Sequence, residues 1–133
     1  MKIHASDIEK AFILKSIQPF DKLDERTLFN MVSVMTLTKY EANITLMDAE
    51  TVGNEVMIVV DGSITTDSGG SVTVTGIRSV LEDVEIGQRV ITGGNGATCL
   101  RIGKGHFLTT VYECPFILVD LIQLRNQNPN YCL

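Results

Sequence analysis

The chain has little of what metal and redox centres are made from. His4 and His106 are its only histidines, and neither stands near a cysteine. A zinc site and a metal-binding jelly roll are therefore excluded, since the latter needs two or three histidines converging on one strand pair. Cys99, Cys114 and Cys132 are odd in number and contain no C-x-x-C, so no disulfide framework is expected. They read as reduced thiols, buried or idle, in a cytoplasmic protein. Basic residues are also scarce: 11 Lys and Arg against 16 Asp and Glu give a net charge of −5, with no basic stripe. Nucleic acid is thereby excluded as a partner, because nothing would neutralise its phosphates. Apolar runs such as Met57–Val60 and Phe116–Val119 are far too short to cross a bilayer, so membrane insertion is not expected. Lys2, His4, Asp7, Glu9 and Lys10 break up the start of the chain, and no signal peptide is read there. No nucleophile motif frames the Ser, His and Asp residues. Gly93-Gly94-Asn95-Gly96 lacks the Lys-Ser/Thr of a phosphate loop and opens a strand rather than a helix. The expected class is non-enzymatic.

With 133 residues, 44% hydrophobic and 20% charged, the chain is expected to form a single domain over 1–133. Ser6-Asp7-Ile8-Glu9 reads as a capping box, and Ile8, Ala11 and Phe12 carry a helix to about Ser16. Pro19 ends it. Asp24 is the expected cap of a second helix whose apolar face is Leu28, Met31, Val32 and Met35. This helical lead occupies 6–35. From 36 to 102 the pattern is β, with short β-rich runs jointed by turns at Gly53-Asn54 and Asp61-Gly62. A hairpin is expected at Asp67–Gly70. Val90–Thr92 and Ala97–Ile102 read as two strands parted by the flexible run Gly93–Gly96. Helical spacing then covers 106–127. Phe107, Leu108, Val111 and Tyr112 form one face, and Pro115 opens a last helix carrying Ile117, Leu118, Leu121, Ile122 and Leu124. The four core-filling methionines are expected at 31, 35, 47 and 57. The fold class is mainly β with flanking helices, a jelly-roll-like two-sheet β-roll.

The order of these signals resembles the cyclic nucleotide-binding domain family. Lys15-Ser16-Ile17-Gln18-Pro19-Phe20 and Leu23-Asp24-Glu25 match its helical lead, and Lys39 to Thr66 matches the first half of its roll. Leu100-Arg101-Ile102, Phe107, Pro115 and Phe116–Leu124 match its last strand and closing helices. The resemblance covers about residues 7 to 125 and implies a double-stranded β-helix.

In that family the cyclic phosphate is held by Phe-Gly-Glu-x-Ala-Leu, a variable loop, and Arg-x-Ala-Thr/Ser-Val. The Gly lets backbone amides close on the anion, the Glu accepts from the ribose 2′-OH, and the Arg pairs with the phosphate. The resemblance places Val80 and Leu81 at Phe-Gly, Glu82 at the Glu, and Arg89 followed by Val90 at the Arg pair. Leu81 in place of Gly crowds the nest. Glu82 to Arg89 is shorter than the family spacing, and counting back from Leu100-Arg101-Ile102 puts Gly87 at the Arg position instead. Glu82, Asp83 and Glu85 set three carboxylates within four residues, which disfavours an anionic ligand. The resemblance therefore implies a regulatory or protein-interaction module whose nucleotide binding is lost or weak. The alternative is a working cyclic AMP or cyclic GMP sensor regulating a partner or a longer parent protein. No cofactor is expected beyond such a ligand. A protein partner or fused parent domain is expected, with a homodimer face on the closing helix from Phe116 to Leu124.

Overall fold

The computed structural model describes residues 1–132. Helix α1 (Asp7–Lys15) begins at its capping box: the Ser6 hydroxyl accepts from the Glu9 N–H at 3.1 Å, and the Glu9 carboxylate accepts from the Ser6 N–H at 3.4 Å. A 3-10 turn over Phe20–Lys22 leads to α2 (Glu25–Ser33), capped by Asp24, whose carboxylate accepts from the Thr27 N–H at 2.8 Å. That bond favours the ionised form and holds the Asp24 carboxyl below its ordinary value.

Six antiparallel strands follow: β1 (Thr36–Tyr40), β2 (Thr45–Met47), β3 (Glu55–Thr66), β4 (Ser71–Val72), β5 (Val74–Thr75) and β6 (Val90–Gly103). Helix α3 (Ile77–Glu82) lies between β5 and β6, and α4 (Lys104–Glu113) and α5 (Phe116–Gln127) come after them, meeting at a bend of 100°. Among the described residues no single helix is long and apolar enough to cross a membrane. The framework is one ribbon of β3 and β6, paired from Glu55–Gly103 to Thr66–Val90. β1 and β5 flank one half of the ribbon, and β2 and β4 flank the other. Two small sheets that share long strands result, which is the expected roll.

Two expected breaks are continuous strand. Asp61-Gly62 and Gly93–Gly96 do not reverse the chain but sit inside β3 and β6, where the register slips between Val59 and Asp61 and between Gly62 and Ile64. The chain bends here rather than turns, as bulges allow. Gly62 and Gly96 take φ of 73° and 75°, and a Cβ on Gly96 would collide with the Tyr40 carbonyl oxygen. Gly96→Ala is expected to cost about 1–3 kcal/mol through left-handed strain and this collision. A urea midpoint equal to that of the unsubstituted chain would contradict the close approach.

β3 divides the interior in two. Val56 and Ile58 face the helices, joining Leu37, Leu100, Ile102, Phe107, Ile117 and Leu121. Met57 faces into the roll, joining Met47, Ile64, Val90, Ala97 and Cys99. Alternation along the strand therefore feeds two cores rather than one core and solvent. Met31, Met35, Met47 and Met57 are all buried. Burial pushes the Cys99 thiol up to about 12. The last helices are rotated from expectation. On α4 the inward residues are Phe107 and Thr110, whereas Tyr112 is 88% exposed. On α5 only Ile117 and Leu121 are fully inside, because a short helix on a curved sheet buries a narrow stripe.

Candidate functional site

The segment from β5 to β6 holds every residue expected at the site. β5 ends at Thr75, Gly76 takes φ of 96°, and α3 starts at Ile77. A Cβ on Gly76 would collide with the Glu55 carbonyl oxygen, so this reversal requires glycine. Val80 lies on α3 and is buried among the helix-side core, and Leu81 packs half-buried against the same core. Glu82 ends α3, exposed, with its carboxylate 3.0 Å from the Arg78 Nε. Arg89 stands at the opposite rim beside β2 and donates from Nε and Nη2 to the Thr45 hydroxyl at 3.3 and 2.9 Å. Val90 is fully buried inside the roll, opposite Met47 and Thr66. The structure thus keeps Val80, Leu81 and Glu82 together, and Arg89 with Val90. Among the described residues no hydrogen bond or ion pair joins the two sets.

The expected crowd of carboxylates is largely neutralised. Glu82 is paired with Arg78 one helical turn before it, and Asp83 with Lys104, a partner that local sequence counting misses.

Between the two sets, residues 83–89 are stitched down on both sides. Asp83 ends α3 in the left-handed region at φ of 54°. The Ile86 N–H donates to the Thr51 carbonyl at 2.7 Å, and the Gly87 N–H to the Ala49 carbonyl at 2.8 Å. The Gln88 side-chain carbonyl accepts from the Ser68 hydroxyl at 3.1 Å, and the Arg89 N–H donates to the Asp67 carboxylate at 3.1 Å. Ile86 packs against the roll-interior core. The central fastener is Ser79, whose hydroxyl accepts from the Gly53 N–H and donates to the Val84 carbonyl, both at 2.6 Å. Ser79→Ala removes both bonds in a buried position and is expected to cost about 1–3 kcal/mol. Amide exchange at Gly53 should quicken in the variant. Unchanged protection there would show that Ser79 does not hold the loop.

Three further residues matter here. Thr75 is fully buried, its hydroxyl has no hydrogen-bond partner, and it sits opposite Met57, hence on the roll-interior face. Gly76 and Ser79 were legible, because Gly76-Ile77-Arg78-Ser79-Val80 fits the spacing Gly-Glu-x-Ala-Leu with the Gly kept, the small Ser79 for Ala, the aliphatic Val80 for Leu, and Ile77 in place of the Glu. The segment 128–132 covers the free edge of β5: the Thr73 and Val74 N–H groups donate to the Tyr131 carbonyl at 3.1 and 2.9 Å. Burial pushes the Cys132 thiol there up to about 11.

No family model and no curated protein matches the chain. Solved structures do match it. The regulatory domain of Toxoplasma gondii PKA, solved with cAMP, is 21% identical with a TM-score of 0.65, over 83% of this chain and 46% of that one. A cyclic nucleotide-binding domain from Methylobacillus flagellatus is 13% identical with a TM-score of 0.73, over 96% and 82%. The regulatory subunit of a cAMP-independent protein kinase A from Trypanosoma brucei is 16% identical with a TM-score of 0.73, over 96% and 51%. The fold is therefore that of the cyclic nucleotide-binding domains. The chain spans about half the length of the two kinase regulatory chains.

Proposed function

We propose that this chain is a regulatory or protein-interaction module on the cyclic nucleotide-binding fold, with nucleotide binding lost or weak. The observation that carries this reading is the stitched loop 83–89. Its amides at Ile86, Gly87 and Arg89 are already bonded within the protein, and Ile86, half-buried, packs against the roll-interior core. We place the start of the cassette at Gly76 rather than Leu81. Ile77 then stands where the family has its ribose-binding Glu, and it is only 5% exposed within the helix-side core. Gly87, the other position for the phosphate Arg, takes φ of 84°, a conformation in which an arginine is strained. Arg89 is engaged with Thr45. The Trypanosoma brucei subunit, described as cAMP-independent, supports a fold that works without this ligand. A protein partner or a parent domain is the proposed readout, in keeping with the regulatory domains of larger proteins that share this fold. Val119, 52% exposed on α5, marks the face proposed for pairing with a second copy.

One observation favours the sensor reading instead. The unpartnered Thr75 hydroxyl lies next to Gly76, and the first amides of α3, like those of any helix, have no intrahelical acceptor. Thermal denaturation with cyclic AMP and cyclic GMP separates the two. The proposed module keeps its melting temperature, whereas a ligand at 100 times its dissociation constant would add about 2.7 kcal/mol and raise it.

A further inference from the structure

Between α3 and α5 lies a cavity of about 330 Å³, at the lower end of the size range of small-ligand sites. Its walls are mainly apolar, from Ile77 and Leu81 on one side and Leu118, Leu121 and Ile122 on the other. Two guanidinium groups, Arg78 from α3 and Arg125 from α5, line it, and both also line an adjoining cavity of about 160 Å³. Among the described residues the only carboxylate lining the larger cavity is Glu82, which is bound to the Arg78 Nε at 3.0 Å. Arg125 enters no salt bridge among the described residues. Among the described residues the wall of the larger cavity thus holds two cations and one anion, on a protein whose net charge is −5. Glu85 is the carboxylate lining the smaller one.

From this arrangement we infer that the α3–α5 cavity binds a monocarboxylate with an unbranched apolar chain, of the medium-chain fatty acid class. The carboxylate takes charge-assisted hydrogen bonds from Arg125 and the free Nη donors of Arg78, and the chain lies against Leu81, Leu118 and Ile122. A cation of the same shape lacks these donors and meets like charge. The site is separate from the roll interior and makes no demand on nucleotide binding.

The test is titration with octanoate below its micelle concentration, followed by backbone amide NMR shifts and calorimetry, with octylammonium as the charge control. Saturable binding of octanoate is expected, with shifts centred on Ile77, Leu81, Leu118 and Ile122. Arg125→Gln and Arg78→Gln, both at exposed positions, should each weaken it by about tenfold or more while leaving the amide spectrum otherwise native. Absence of saturable binding overturns the inference. So does equal affinity for octylammonium, or octanoate binding that survives both substitutions.

Discussion

Ile58→Asp is expected to leave the chain unfolded. Ile58 is fully buried, faces the helix-side core, and pairs with Leu100 on one side and Val74 on the other. The substitution deletes a buried aliphatic side chain, which costs about 2–5 kcal/mol by itself. It also introduces a carboxylate among the apolar side chains of that core, and burying a charge or an unbonded acid adds several kcal/mol more. A domain of this size holds about 5–15 kcal/mol in total. Far-ultraviolet circular dichroism and urea titration read the outcome. A soluble variant with an unchanged melting temperature would mean that β3 is not the central strand of both sheets.

Ile77→Glu restores the family's acidic residue at the position we assign to it, and is expected to fail in a specific way. The new carboxylate enters the helix-side core at the wall of the α3–α5 cavity, where Ile77 packs, rather than the roll interior. The expected cost is about 3–5 kcal/mol, with no gain in affinity for cyclic AMP. Ile77→Val, which keeps the apolar character, should cost only about 0.5–1.5 kcal/mol. If Ile77→Glu instead leaves stability intact and creates measurable nucleotide binding, the side chain at 77 reaches the ligand space and the loop 83–89 is not a barrier.

The parts of this fold that depend on local chemistry were plain in the sequence. Ser6 with Glu9 and Asp24 with Thr27 announce their helix starts because a cap is a contact over three residues. The alternation from Val56 to Ile58 announces β3, and the hairpin residues Asp67–Gly70 lie between β3 and β4 as expected. Long-range geometry was not legible. Asp61-Gly62 and Gly93–Gly96 carry turn composition, yet here glycine serves close approach of β1, β3 and β6 within continuous strands. Local composition does not distinguish a bulge from a reversal. The outward Tyr112 was missed for a similar reason: which stripe of α4 is buried depends on the angle at which it meets the sheet. At the candidate site Glu82 carries the right residue type, whereas Gly76, Ser79 and Val80 carry the better spacing, with Ile77 where the acid would stand. The pairing of Asp83 with Lys104 joins residues far apart in sequence and could not be counted from the acidic run alone.

If the roll interior is closed by its own loop, as we propose, calorimetric titration of cyclic AMP and cyclic GMP into the unsubstituted chain should give no saturable heat below the millimolar range for either nucleotide. Stoichiometric binding in the micromolar range, weakened by Thr75→Val or by Arg89→Ala, would contradict it and make the chain a sensor.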